Sequence, residues 1–218
     1  YTAAVPTNAG TYWVKATVAE TATYKGLEDK KSFTIAPKTI SNVINLTAPV
    51  RGAAPQRSII AEGYTAEVRW SPSVSGKFAA GTVYTVTFII TTDVNHTAEG
   101  IAANGYTAAG ADQVTNEANS KTVTIKYPAT EKNLNSFTTP LSITGWTYGD
   151  TAKTPNAAAK YGTCVFTYSD AENGTYTATV PTNAGTHWVK ATVAETASYT
   201  GLESKISFTI APKTIGKA

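Results

Sequence analysis

The chain carries one cysteine, Cys164, and no methionine among its 218 residues. One thiol excludes an internal disulfide. Flanked by Thr163, Val165 and Phe166, Cys164 reads as a small strand residue rather than a nucleophile. The missing methionine, position 1 included, leads to the expectation of a processed or excised piece of something longer. Histidine is nearly absent too. His96 and His187 lie far apart, and with a single cysteine they make no zinc set, so no metal and no cofactor are expected. Charged residues make up only 15%, which leaves Thr, Ser and Asn to keep the surface polar. The net charge of +3 is interspersed, and Lys30-Lys31 is the one adjacent basic pair. That excludes a basic tract for nucleic acid or an anionic membrane. No apolar run approaches the ~20 residues of a membrane span, so no membrane insertion is expected. No stretch shows helical periodicity of useful length, so an all-β chain with negligible helix is expected.

What is present is a repeat. Residues 1–40 recur at 176–215 without a gap, 175 positions on. Six of the 40 positions differ: Ala4/Thr179, Tyr12/His187, Thr23/Ser198, Lys25/Thr200, Asp29/Ser204 and Lys31/Ile206. Within it, Tyr12, Val14, Ala16 and Val18 alternate with Trp13, Lys15 and Thr17, the period of a strand with one buried face. Pro6–Gly10 has the composition of a turn. A second strand is expected at Ser32–Ile35, ending at Ala36-Pro37 because proline cannot donate to a ladder.

The later copy has a front half that the earlier one lacks. It runs from about Phe137 through Trp146 to Tyr168, and a turn at Ser169–Gly174 follows. The spacing therefore predicts three regions: 1–40, the back half of a unit; 41–133, a different unit; and 134–218, a complete unit. In the middle region Tyr64, Ala66, Val68 and Trp70 alternate with Thr65, Glu67 and Arg69. Val83–Ile90 is the most apolar strand, and Lys121–Tyr127 closes the region before Pro128. Short strands between turn signals predict tandem β-sandwich or Ig-like modules. Forty residues are too few to enclose a core. The half unit at 1–40 is thus expected to need complementation from outside this chain.

The segments Gly185-Thr186-His187-Trp188-Val189-Lys190-Ala191 and Ile210-Ala211-Pro212-Lys213, with Gly10–Ala16 and Ile35–Lys38, resemble the bacterial "mostly β, glycine-rich" (MBG) repeat. The middle region resembles the immunoglobulin-like repeats that alternate with such modules in surface proteins of Gram-positive bacteria. It does so through Ala48–Pro55, Trp70-Ser71-Pro72 and Phe78–Thr85. The resemblance implies an extracellular protein of the bacterial cell surface or cell wall, a non-catalytic stalk or spacer of an adhesin, with neighbouring repeats as partners. The lack of disulfides agrees with a bacterial source. Neither family supplies a catalytic residue.

The residues themselves offer little chemistry. His96 lies in the polar loop Thr92–His96, where exposure is expected. His187 stands where the other copy has Tyr12, which no general base would tolerate, so a structural role is expected. Asp170, Glu172 and Asn173 alternate in one turn but lack the spacing of a calcium loop, and turn chemistry is expected. Strand parity puts Trp13 and Trp188 on the face opposite the buried one, among Lys and Thr. They are the ligand-binding candidates for the alternative reading, a carbohydrate- or host-protein-binding module. The competing expectation is that they cover the sheet or pack at a junction.

Overall fold

The computed structural model describes residues 1–216, and every element in it is a strand. The chain divides into two compact units, residues 1–78 with 83–129, and residues 79–82 with 130–218.

The first unit begins with the repeat hairpin, β1 (Gly10–Val18) and β2 (Leu27–Ile35), a two-stranded sheet of its own. Two short parallel pairs follow. They join β3 (Lys38–Thr39) to β9 (His96–Thr97), and β4 (Val43–Ile44) to β10 (Thr107–Ala108). The main sheet contains β5 (Ser58–Ala61), β6 (Tyr64–Glu67), β7 (Trp70–Ser71), β8 (Thr85–Thr92), β11 (Gln113–Thr115) and β12 (Thr122–Lys126). Its path is β11-β12-β8-β6-β5, with β7 also paired to β8. Tyr64, Ala66, Val68 and Trp70 are all buried, as their alternation requires. So are Val86, Phe88 and Ile90 on β8, opposite Val123 and Ile125 on β12. Trp70 anchors this core. Its ring meets Phe78 edge-on at 5.0 Å, and its Nε1 donates to the Gln56 carbonyl at 2.8 Å.

The second unit has β13 (Phe137–Ser142), β14 (Trp146–Thr147), β15 (Asn156–Ala159), β16 (Cys164–Ser169), β17 (Gly185–Val193) and β18 (Leu202–Ala211). β13 pairs with β15, and the other four form a sheet ordered β14-β18-β17-β16. Val189, Ala191, Phe208 and Ile210 pack with Leu141, Trp146 and Tyr168 in its core. The strand face read from the sequence is the observed one: His187, Val189, Ala191 and Val193 are buried, while Trp188, Lys190 and Thr192 are half-buried on the other side.

Two sequence expectations change. Tyr12, Val14, Ala16 and Val18 share a face, but no strand among the described residues covers it. Tyr12 is half-buried and the other three are exposed, because the strands that cover the equivalent residues in the second unit have no counterpart beside β1 and β2 among the described residues. The second strand of the repeat is also longer than Ser32–Ile35. It starts at Leu27, because Glu28 to Lys31 continue the ladder opposite Val14 to Thr17 despite their charge.

Candidate functional site

The hairpin register sets out the face that carries the two tryptophans. In β1–β2, Trp13 opposes Ser32, Lys15 opposes Lys30 and Thr17 opposes Glu28. The side chains of one face alternate along each strand, so all six share a side. Two like charges directly opposite repel, and Glu28 relieves this by bridging both. Its carboxylate lies 2.8 Å from Lys30 Nζ and 2.9 Å from Lys15 Nζ. Lys30, and after it Lys15, hold the Glu28 carboxyl below its ordinary range. Lys15 Nζ also lies 5.1 Å from the centre of the Tyr1 ring.

The second copy rebuilds the same group. Lys190 and Lys205 flank Glu203 at 3.6 and 3.5 Å. Both ammonium groups sit over the Tyr176 ring, at 4.6 and 5.6 Å, within cation–π range. Burial raises the Tyr176 hydroxyl pKa. A tyrosine–lysine–glutamate–lysine cluster next to a tryptophan is therefore built twice. Sequence reading found the tryptophans and missed Tyr1 and Tyr176. The parity of Trp, Lys and Thr was visible, but which residues oppose them follows only from the register.

The two tryptophans differ in their surroundings. Trp13 is 59% exposed on a bare hairpin. Trp188 sits in the middle of a sheet, with Ser207 opposite on one side and Ser169 on the other, and is half-buried. An open indole face beside hydroxyls and charged hydrogen-bonding groups suits stacking on a sugar ring or an aromatic side chain. Trp13 offers that face and Trp188 offers less of it. The structure places them in different units.

His187 is buried, as its strand parity requires. Its Nε2 is 2.9 Å from the Asn183 carbonyl and its Nδ1 is 2.7 Å from Asp170 Oδ1. The Asn183 carbonyl only accepts, so the contact at Nε2 calls for a hydrogen on that nitrogen. In the first copy the Tyr12 hydroxyl donates to the Asn8 carbonyl at 2.9 Å, and Asn8 is the counterpart of Asn183. One carbonyl thus takes its donor from a phenol in one copy and an imidazole in the other. Asp170 is committed to His187, and among the described residues no group of three or more His, Cys, Asp or Glu is placed to hold a metal ion.

His96 is not exposed as expected. Its side chain is 14% exposed, its Nδ1 lies 2.7 Å from Asp93 Oδ1, and its ring covers Gly63. Gly63 has φ +82°, and a Cβ there would stand 2.3 Å from the ring, so only glycine fits beneath it. His96 helps line a cleft of about 340 Å³ with Lys38, Ile40, Asn45 and Glu62. Lys38 and Glu62 are paired at 2.8 Å, which lowers the Glu62 pKa.

No protein-family model, curated protein or solved structure matches the chain.

Proposed function

We propose that this chain is a non-catalytic repeat segment of a bacterial cell-surface protein, a stalk or spacer in an adhesin, built from MBG-like units around an Ig-like β-sandwich. The observation that carries this reading is the recurrence of one hairpin. Nine cross-strand pairs repeat residue for residue, 175 positions apart, on either side of a different unit. Near-identical modules interrupted by others are the pattern of an array that grows by duplication, where each module contributes length and a surface for its neighbour. The hydroxyl-rich strands and single thiol agree with the cysteine-poor surface proteins of Gram-positive bacteria to which the resemblance points.

Antibodies against this chain test the location. Intact, unpermeabilised cells that make the protein should label, and protease shaving should remove the label. Labelling that needs permeabilisation would overturn the proposal. A second reading, binding of a host glycan or protein, draws on the exposure of Trp13. It requires glycan-array or host-protein binding that the Trp13→Ala chain loses and the Trp188→Ala chain retains at least in part.

A further inference from the structure

The second unit brings two tyrosines together from turns far apart in sequence. Tyr161 lies in the bend between β15 and β16, and Tyr199 in the turn between β17 and β18. Their rings stack with centres 3.7 Å apart and planes 23° from parallel. Aromatic pairs ordinarily keep their centres roughly 4.5–7 Å apart, so this pair is unusually close. The hydroxyls sit together as well, because the Tyr199 phenol hydrogen-bonds to Tyr161, which raises its pKa. The two rings therefore point the same way, and the ortho carbons of one phenol face those of the other.

The contact is held from the backbone. One short segment, Asn133 to Asn135, grips both turns. Asn135 Nδ2 donates to the Tyr161 carbonyl at 2.7 Å, and Asn135 Oδ1 accepts from Tyr161 N at 3.2 Å. Asn133 N donates to the Ser198 carbonyl at 2.8 Å, and the Asn133 carbonyl accepts from Thr200 N at 3.0 Å, on either side of Tyr199. Lys132 pairs with Glu195 at the entry to the same turn. Gly162 has φ +87°, and a Cβ there would stand 2.8 Å from Val193, so the bend after Tyr161 needs glycine. Tyr161 is 36% exposed and Tyr199 is half-buried, so the pair is fixed in place yet open at its rim.

We propose that Tyr161 and Tyr199 form an oxidative cross-linking site, at which hydrogen peroxide and a haem peroxidase join the two rings as an intrachain dityrosine. Each phenol loses one electron and one proton to become a phenoxyl radical, with spin on the oxygen and the ortho carbons. Two ortho carbons then bond across the stack, the direction in which their π orbitals point. Each coupled carbon releases its hydrogen as a proton while its ring regains aromaticity, and each oxygen takes a proton back. One C–C bond has formed and two C–H bonds have broken. The two electrons and two protons reduce one peroxide to two waters. The rings are already placed, so coupling within the pair outruns encounters between chains. The chain has a single cysteine and cannot close this unit with a disulfide. A dityrosine closes the loop from 161 to 199 in the same sense, by restricting the unfolded chain. The inference stands apart from the proposed stalk role.

The test treats the full chain, at low micromolar concentration, with a haem peroxidase and hydrogen peroxide. The expected product is monomeric, fluoresces as dityrosine, and on digestion gives a linked peptide pair that joins Tyr161 to Tyr199. Tyr161→Phe and Tyr199→Phe keep the ring and remove the phenol, and each should cut the intrachain yield at least tenfold. Tyr148→Phe, at an exposed tyrosine outside the pair, should leave the yield unchanged. The cross-linked chain should unfold at least about 5 °C higher than the untreated one. Mapping the link on the unaltered chain needs no variant, so the result does not depend on how the variants fold. The proposal is overturned by the absence of a cross-link, by links mainly between chains or to other tyrosines, or by a yield that survives both Phe changes. A link that leaves the unfolding temperature unchanged overturns it too.

Discussion

Val14 and Val189 occupy the same place in the same hairpin, yet Val14 is 56% exposed and Val189 is fully buried. The sequence around them is almost identical, so the difference lies in what packs on each strand. Truncation should report it. Val189→Ala removes two buried carbons and leaves a void, which should cost about 2 kcal/mol. Val14→Ala should change stability by less than about 0.5 kcal/mol. Denaturant unfolding of the full chain, followed by probes in each unit, compares the two directly.

His187 and Tyr12 serve the same carbonyl, at Asn183 and Asn8. His187→Tyr should therefore keep the second unit stable to within about 1 kcal/mol, because the phenol supplies the donor that the imidazole gave. His187→Phe keeps a ring beside Phe208 but leaves the Asn183 carbonyl without that donor, at a cost of about 1–3 kcal/mol. Thermal unfolding of the two variants checks the order. Equal losses would show that ring packing alone matters.

Tyr127 gives the first unit a limit at high pH. It is fully buried, its hydroxyl finds no hydrogen-bond partner among the described residues, and burial pushes its pKa from the ordinary 10.0 up to about 12. Folded, the phenol holds its proton more tightly than when unfolded. Its contribution to stability is complete below pH 10 and is lost as pH rises from there towards 12. Burial moves Tyr64 and Tyr106 in the same direction. Tyr127→Phe should flatten part of the fall in stability between pH 10 and 12, with little cost at neutral pH because no hydrogen bond is lost. Chemical denaturation at a series of alkaline pH values measures it.

Much of the fold was legible because period-2 alternation speaks for itself. Tyr64 to Trp70 and His187 to Val193 lie on the faces their parity assigned. Parity does not say whether a face is covered, which is why Val14 and Val18 were expected to be buried and are not. It also does not extend a strand through charge. Leu27 to Lys31 belong to β2 because Glu28 finds Lys15 across the ladder, a pairing no composition reveals. His96 was misjudged for a related reason, since the glycine under its ring lies 33 positions earlier in sequence. At the candidate site Trp13 and Trp188 were found, whereas the Tyr1 and Tyr176 clusters depend on the register of a hairpin whose turn had first to be placed.

Site-resolved hydrogen exchange on the full chain bears most directly on the incomplete first copy. Both hairpins have the same cross-strand register, so their amides would exchange alike if the hairpin alone decided protection. The account instead expects residues 11–18 to exchange at least a hundredfold faster than 186–193, because an uncovered two-stranded sheet opens locally and a covered sheet opens only with its unit. Equal protection of the two hairpins in the chain alone would contradict it.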